Sequence, residues 1–136
     1  MRFISDYALA IITIWQEARG EPQEGKIAVA EVIRNRMKRK YSSDGSVTDT
    51  VLRPYQFSGW NTKDPNRVPS MRIDNKDPVV NDCIEAWLTS EHSDLTGGAV
   101  LYLNEKAVDV LPDWVSVSHQ TAKIGRHSFY IPMGGG

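Results

Sequence analysis

Apolar residues recur at helical spacing from the start of the chain. Between residues 5 and 17, Ala8, Leu9, Ile11, Ile12 and Trp15 fall mostly three and four apart. That pattern predicts a helix largely buried on one face, with Ser5 or Asp6 able to cap its start. Gly20 and Pro22 break it. A second helix is predicted over about 22–40, with Pro22 in its first turn and Val29, Val32, Ile33 and Met37 on one stripe. Glu24 stands near its start, and Arg34, Arg36, Lys38, Arg39 and Lys40 crowd its end, the polarity that a helix dipole favours. From Tyr41 to Asp77 the periodicity is lost. Ser, Asp, Asn, Gly and Pro dominate there, with one short helical candidate at about 47–53. Helical spacing returns over 77–91 through Val80, Ile84, Trp87 and Leu88, with Asp77-Pro78 as a start signal. After Gly97-Gly98, AVLYL reads as a short strand, and TAKIGRHSFYIP reads as two extended pieces around a turn at Gly125. The predicted fold class is mainly α (α+β), a set of helices with a small extended or hairpin element.

Length and composition add limits. The 136 residues suit one domain over 1–136, with the terminal 134–136 glycines as a frayed tail. A chain of this size buries roughly two thirds of its unfolded surface, and 40% hydrophobic residues with four tryptophans can fill that core. A net charge of −1 gives no general reason to expect nucleic acid or an anionic membrane as partner. The RNRMKRK cluster is the one local exception, and Met37 interrupts it. No apolar run approaches the roughly 20 residues needed to span a bilayer. YALAIITIW at 7–15 has the length of a signal-peptide core, but Asp6 abuts it and no A-x-A cleavage pattern follows, so it is read as the first core helix. The single cysteine, Cys83, cannot form an internal disulfide and is read as a small packed hydrophobe.

Few residues are left to carry chemistry. The histidines, His92, His119 and His127, are scattered and lack the spacing of a helical zinc motif, so no metal is expected. There is no phosphate-cradling glycine loop after a strand, and no G-x-S-x-G. Carboxylates and aromatics remain. Breaking a glycosidic bond needs a carboxylic acid that stays protonated near neutral pH, and partial burial beside an aromatic achieves this. Glu17 ends a buried helix two residues after Trp15, so it is either that acid or a solvated helix-end carboxylate. Glu21, just before Pro22, reads as a helix-start residue or a second carboxylate, and Arg19 can pair with either glutamate. PYQFSGW, at 54–60, offers Tyr55, Phe57 and Trp60 as flat faces for sugar rings, or as anchors for a loop.

Several stretches together resemble one family. WQEARGEPQEGKIAVAEVIRNR is similar to the opening of the catalytic domain of SleB-like cell wall hydrolases, the spore cortex lytic enzymes and their relatives. There a helix ends in Gly-Glu-Ala-Arg-Gly-Glu-Pro and an Ala/Val-rich helix follows, ending in Asn-Arg. QFSGW resembles that family's Gln-Phe-Ser loop, GGAVLYLN its segment ending in an aromatic and an asparagine, and IGRHSFY its closing Ile-Gly-x-His-x-Phe-Tyr. The blocks lie in the right order across residues 15–131.

The resemblance implies a lysozyme-like single domain acting on peptidoglycan glycan strands, most naturally as a lytic transglycosylase. One glutamate, matching Glu17, would protonate the oxygen between N-acetylmuramic acid and N-acetylglucosamine. The same group would then act as base for the muramic C6 hydroxyl, leaving a 1,6-anhydro end. Gln56, Phe57, Ser58, Trp60, Tyr102, Asn104 and His127 are the substrate-binding candidates around the cleft, His127 having the alternative of bonding within the fold. A hydrolytic muramidase and a non-catalytic glycan-binding phage structural protein are the alternatives. No cofactor, no nucleic acid, no stable membrane insertion and a monomer are expected. The setting expected is a phage endolysin made in the cytoplasm without a clear signal peptide or wall-binding module, and released to the wall through a holin. Two positions depart from the family pattern, Gln16 in place of glycine and Glu105 in place of proline.

Overall fold

The computed structural model describes residues 5–53, 56–61, 64–65, 67–70, 72–74 and 76–133. Tyr55 of the aromatic loop and the 134–136 tail lie outside the described residues.

Helix α1 spans Asp6–Ala18, and Ser5 is its cap, the hydroxyl accepting from the Ala8 N–H at 3.2 Å. Leu9, Ala10, Ile11 and Ile14 are buried along it, so the apolar run at 7–15 is a core helix. Helix α2 spans Gln23–Arg39 and ends where Lys40 turns left-handed, at φ 52, letting the Tyr41 N–H reach the Arg36 carbonyl at 2.9 Å. Helix α3 covers Val47–Leu52. Two short pieces follow, a 3₁₀ turn at Ser58–Trp60 and α4 at Arg67–Ser70.

Helix α5, Pro78–Thr89, begins with Asp77 accepting from the Val79 N–H at 2.8 Å. It buries Val80, Cys83, Ala86 and Trp87. Leu88, predicted on the apolar stripe, is exposed instead. One residue turns a helix by about 100°, so a stripe through Cys83 and Trp87 carries Leu88 to its rim. Leu9, Ile14, Ile33, Val51, Phe57, Val80, Cys83 and Trp87 belong to one core shared by α1, α2, α3, α5 and the loop after α3. Burial pushes the Cys83 thiol up to about 12, which leaves it a packed hydrophobe rather than a nucleophile.

The extended part is a three-stranded antiparallel sheet of order β1-β3-β2, with β1 at Leu101–Leu103, β2 at Ser118–Ile124 and β3 at His127–Pro132. Tyr102 pairs with Phe129, and the register of β2 shifts between Gln120 and Ala122. The predicted turn falls at Gly125, whose φ of +58 suits glycine. Phe129 joins Ala28 and Val32 of α2 and Ala99 in a second cluster, with Tyr102, Ala122 and Ile124 against it. The sheet therefore sits on α2 and brings the Tyr102 side chain to the C-terminal end of α1. Among the described residues no helix is long and apolar enough to cross a membrane.

Candidate active site

Glu17 is the penultimate residue of α1, with its carboxyl turned toward the sheet. The Tyr102 hydroxyl donates to Glu17 Oε1 at 2.5 Å. Burial raises the carboxyl's pKa, and the Asp64 charge adds to the rise. Hydrogen bonds from Tyr102 and the Gly59 N–H, with the Arg36 charge, pull the other way without cancelling it. The net direction is upward, toward a carboxylic acid that keeps its proton above the usual carboxylate range. Tyr102 is itself held neutral, since burial, then the charge and hydrogen bond of Glu17, push its phenol well up. It is a fixed donor to one carboxyl oxygen, leaving the other for a proton.

Arg36 lies beneath this pair and was not singled out by the sequence as a site residue. Its Nε donates to the Val100 carbonyl at 2.6 Å, and Nη1 reaches the Gln56 carbonyl and Oε1, both at 3.4 Å. The guanidinium stacks over Phe57, 4.6 Å from the ring centre. Burial lowers its pKa, and Tyr102, Tyr41 and Glu17 raise it in part. An arginine stays charged under such shifts, so it acts as a buried cation near the acid. The signal was available: Arg36 continues the Val29, Val32, Ile33 stripe at helical spacing, and a charge on an apolar stripe is seldom left unpaired. Two more residues of RNRMKRK are used internally. Arg34 stacks on Trp87 at 3.7 Å and Asn35 donates to the Ala99 carbonyl at 2.9 Å.

Glu21 does not cap α2. It is buried and accepts from the Arg126 backbone N–H at 3.0 Å and from Arg126 Nε at 2.8 Å, while His127 Nδ1 lies 3.2 Å away. Burial alone would raise its pKa, but the Arg126 bonds and charge, together with His127, bring it below the usual value. The carboxylate is committed to tying the β2–β3 turn to the end of α1. A side chain at Gly125 would place its Cβ 2.8 Å from Glu21 Oε1. The buried Lys26 ammonium donates to the Glu21 carbonyl, fixing the same segment from the other side. His127 meets Tyr102 edge-on at 5.1 Å, and burial lowers its pKa against the pull of Glu21. The Arg19 guanidinium stacks over Trp15 at 4.4 Å, and Arg126 pairs with Glu21 at 2.8 Å.

The remaining candidates separate into two groups. Gln56 is half-buried and joined to Arg36, and Ser58 is exposed at the start of the 3₁₀ turn. Asn104 follows β1 and accepts from the Lys106 N–H at 3.2 Å, which sets the turn after the strand. Phe57, proposed as a sugar platform, is instead 1% exposed and part of the core, so its ring has no free face. Trp60 packs against the same core, and its Nε1 donates to the buried Thr13 hydroxyl at 2.8 Å. Its geometry is that of a loop anchor. Gly59, which presents its N–H to Glu17, sits where an added Cβ would meet Gln16 Oε1 at 2.4 Å and Gln16 Cβ at 2.8 Å. Gln16, one of the two departures from the family pattern, in turn donates to Ser70 Oγ at 2.9 Å. The other, Glu105, accepts from Tyr130 Oη at 2.7 Å. Among the described residues no group of three or more His, Cys, Asp or Glu side chains is placed to hold a metal.

A shielded carboxyl with its pKa raised by burial and one oxygen held by a phenol is the equipment of a general acid. The family model of the cell wall hydrolases matches residues 20–130, and the chain belongs to that family. Among curated relatives, the spore cortex-lytic enzyme of Oceanobacillus iheyensis is 31% identical over 129 residues, covering 92% of this chain and 41% of the relative. That of Bacillus cereus is 30% identical over 125 residues, covering 92% and 44%. The chain thus spans less than half the length of the curated relatives it matches. Two solved structures share the fold at a TM-score of 0.71. They are the catalytic domain of the Bacillus cereus SleB protein, 26% identical over 96% of this chain and 94% of that one, and the catalytic domain of the germination-specific lytic transglycosylase SleB from Bacillus anthracis, 27% identical over 96% and 99%.

Proposed function

We propose that this domain cleaves the glycan strands of peptidoglycan between N-acetylmuramic acid and N-acetylglucosamine, with Glu17 as acid and then base. The observation that carries the reading is Glu17 itself, raised by burial yet fixed at Oε1 by Tyr102. In the first step the free carboxyl oxygen gives its proton to the glycosidic oxygen as the bond to C1 breaks. In the second, the resulting carboxylate takes the proton of the muramic C6 hydroxyl as that oxygen bonds to C1. The products are a 1,6-anhydromuramic end and a free N-acetylglucosamine hydroxyl, and Glu17 is protonated again. Arg36 and the Tyr102 hydroxyl lower the cost of the transient carboxylate. In this reading Gln56, through Arg36, and His127, against Tyr102, are positioning groups, and Ser58 and Asn104 contact the glycan.

Family membership and the name of the Bacillus anthracis neighbour support the transglycosylase outcome. Glu21 accepts two hydrogen bonds from Arg126, with His127 Nδ1 3.2 Å away, so it is not available as a second catalytic carboxylate. Asp64 is the observation that favours the hydrolytic reading, because its charge acts on Glu17 and a hydrolase uses a second carboxylate to activate water. Mass spectrometry of muropeptides released from purified sacculi decides. Anhydromuramic ends are expected, and reducing ends alone would replace this reading with a muramidase. The endolysin setting belongs to the proposal as well: lysis of a host expressing the domain only when a holin is co-expressed supports it, and lysis without one contradicts it.

A further inference from the structure

A small polar cavity of about 140 Å³ lies at the end of the sheet, lined by Glu105, Lys106, Lys123, Gly125 and Arg126. Neither the acid–base step nor the clamp on Glu21 uses its two lysines. We propose that it is a binding site for a carboxylate of the peptide stem carried by the muramic residue, making this domain selective for stem-bearing glycan.

Charge, shape and position support the assignment. Three cations face the Glu105 carboxylate and the buried Glu21, leaving a positive excess at a concave surface. Glu105 is already engaged, since hydrogen bonds from Tyr130 and Ser128 hold it below the usual carboxylate range. It shapes the floor and leaves lysine donors to an incoming anion. Arg126 is tied to Glu21 through Nε, and its side chain is still 66% exposed, so part of the fork faces outward. The hairpin turn is rigid here, with Gly125 pressed against Glu21. Lys38, Arg39 and Lys40, by contrast, are exposed at a helix end, and none of them lines this cavity.

The position follows from the strands. Tyr102, which holds Glu17, is three residues before Glu105, and His127, which meets Tyr102, directly follows Arg126. Lys123 pairs across the sheet with Ser128, beside the face that holds Glu105. Lys123 and Ser128 face away from Tyr102 and Phe129, so the cavity and the acid lie on opposite faces of the sheet, joined through Arg126, which lines the cavity and bonds Glu21 four residues past Glu17. An extended stem of three residues reaches about 10 Å from the sugar. In this proposal the acidic stem of a muramic residue seated at Glu17 passes around the Arg126 end of the sheet into the cavity. The proposal rests on the glycan-cleaving reading, and its test separates the two.

The probe is the soluble stem tetrapeptide, alanyl-D-glutamyl-diaminopimelyl-D-alanine, titrated into ¹⁵N-labelled protein. Saturable shifts of the Lys106, Lys123, Gly125 and Arg126 amides are expected, weakening with salt and with amidation of the peptide's carboxylates. In the K106Q/K123Q variant, whose spectrum also reports its fold, the affinity should fall about fivefold, the size two exposed ion pairs supply. Absent shifts, affinity unchanged in the variant, or equal binding of inorganic phosphate would overturn the site. In turnover, wild type should favour stem-bearing strands over amidase-stripped strands by a similar factor in kcat/KM, and the double variant should lose that preference. Equal rates on both strands in wild type would also overturn it. A protein that cuts neither strand refutes the glycan-cleaving function, and the peptide titration still decides the cavity.

Discussion

Gly59 and Gln16 share one space. The acid's third support, the Gly59 N–H, depends on the 3₁₀ turn lying directly on the Gln16 side chain. A methyl group there collides with Gln16 along its length, so G59A is expected to destabilise by about 2 kcal/mol, the scale of core overpacking. Adding Q16G should return part of that loss, and thermal unfolding of the two variants and the combination measures it. Trp60 belongs to the same contact. W60A empties an aromatic site and removes the partner of Thr13, and it should cost about 3 kcal/mol in chemical denaturation. A variant of normal stability with weakened substrate binding would restore Trp60 as a sugar platform. These contacts join residues 43 to 54 positions apart, between segments whose own patterns predict a helix and a loop. That is why the sequence marked QFSGW as functional without showing that its aromatics face inward.

At the scale of elements, the β2–β3 turn is held by one carboxylate. Because partners lower the folded pKa of Glu21, its contribution to stability is complete above the unfolded value and is lost as pH falls through the folded one. Unfolding followed against pH should therefore show wild type losing stability relative to E21Q on acidification, with E21Q less stable by about 2 kcal/mol near neutrality, the scale of hydrogen bonds to a charged group. An unchanged difference across that range would mean that Glu21 does not carry the turn. The elements themselves were largely legible. Periodicity places α1, α2 and α5 within a residue or two, and Gly125 marks the hairpin turn. The region 56–77 was not, since its short 3₁₀ turn and α4 are fixed by anchors such as Phe57 and Ser70 rather than by any repeat. Nor was the role of Glu21 legible, because its partners lie 105 residues and more away.

At the scale of the molecule, three separate segments meet to make one acid: the end of α1, the loop carrying Gly59 and strand β1. Burial raises the Glu17 pKa, so the rate should hold while the carboxyl is protonated and fall as pH rises through that raised value. The stability sign is the reverse of that for Glu21. The contribution of Glu17 is present below its unfolded pKa and disappears as pH rises through the folded one. E17Q should thus gain on wild type in melting temperature as pH increases. That comparison also supplies the fold control for the most direct test of the central claim, the release of glycan ends from purified sacculi by E17Q beside wild type. A folded E17Q protein is expected to lose at least about a hundredfold in rate, the lower bound for removing a general acid. Near-normal release by a folded E17Q protein would contradict the assignment of Glu17 as the group that breaks the bond.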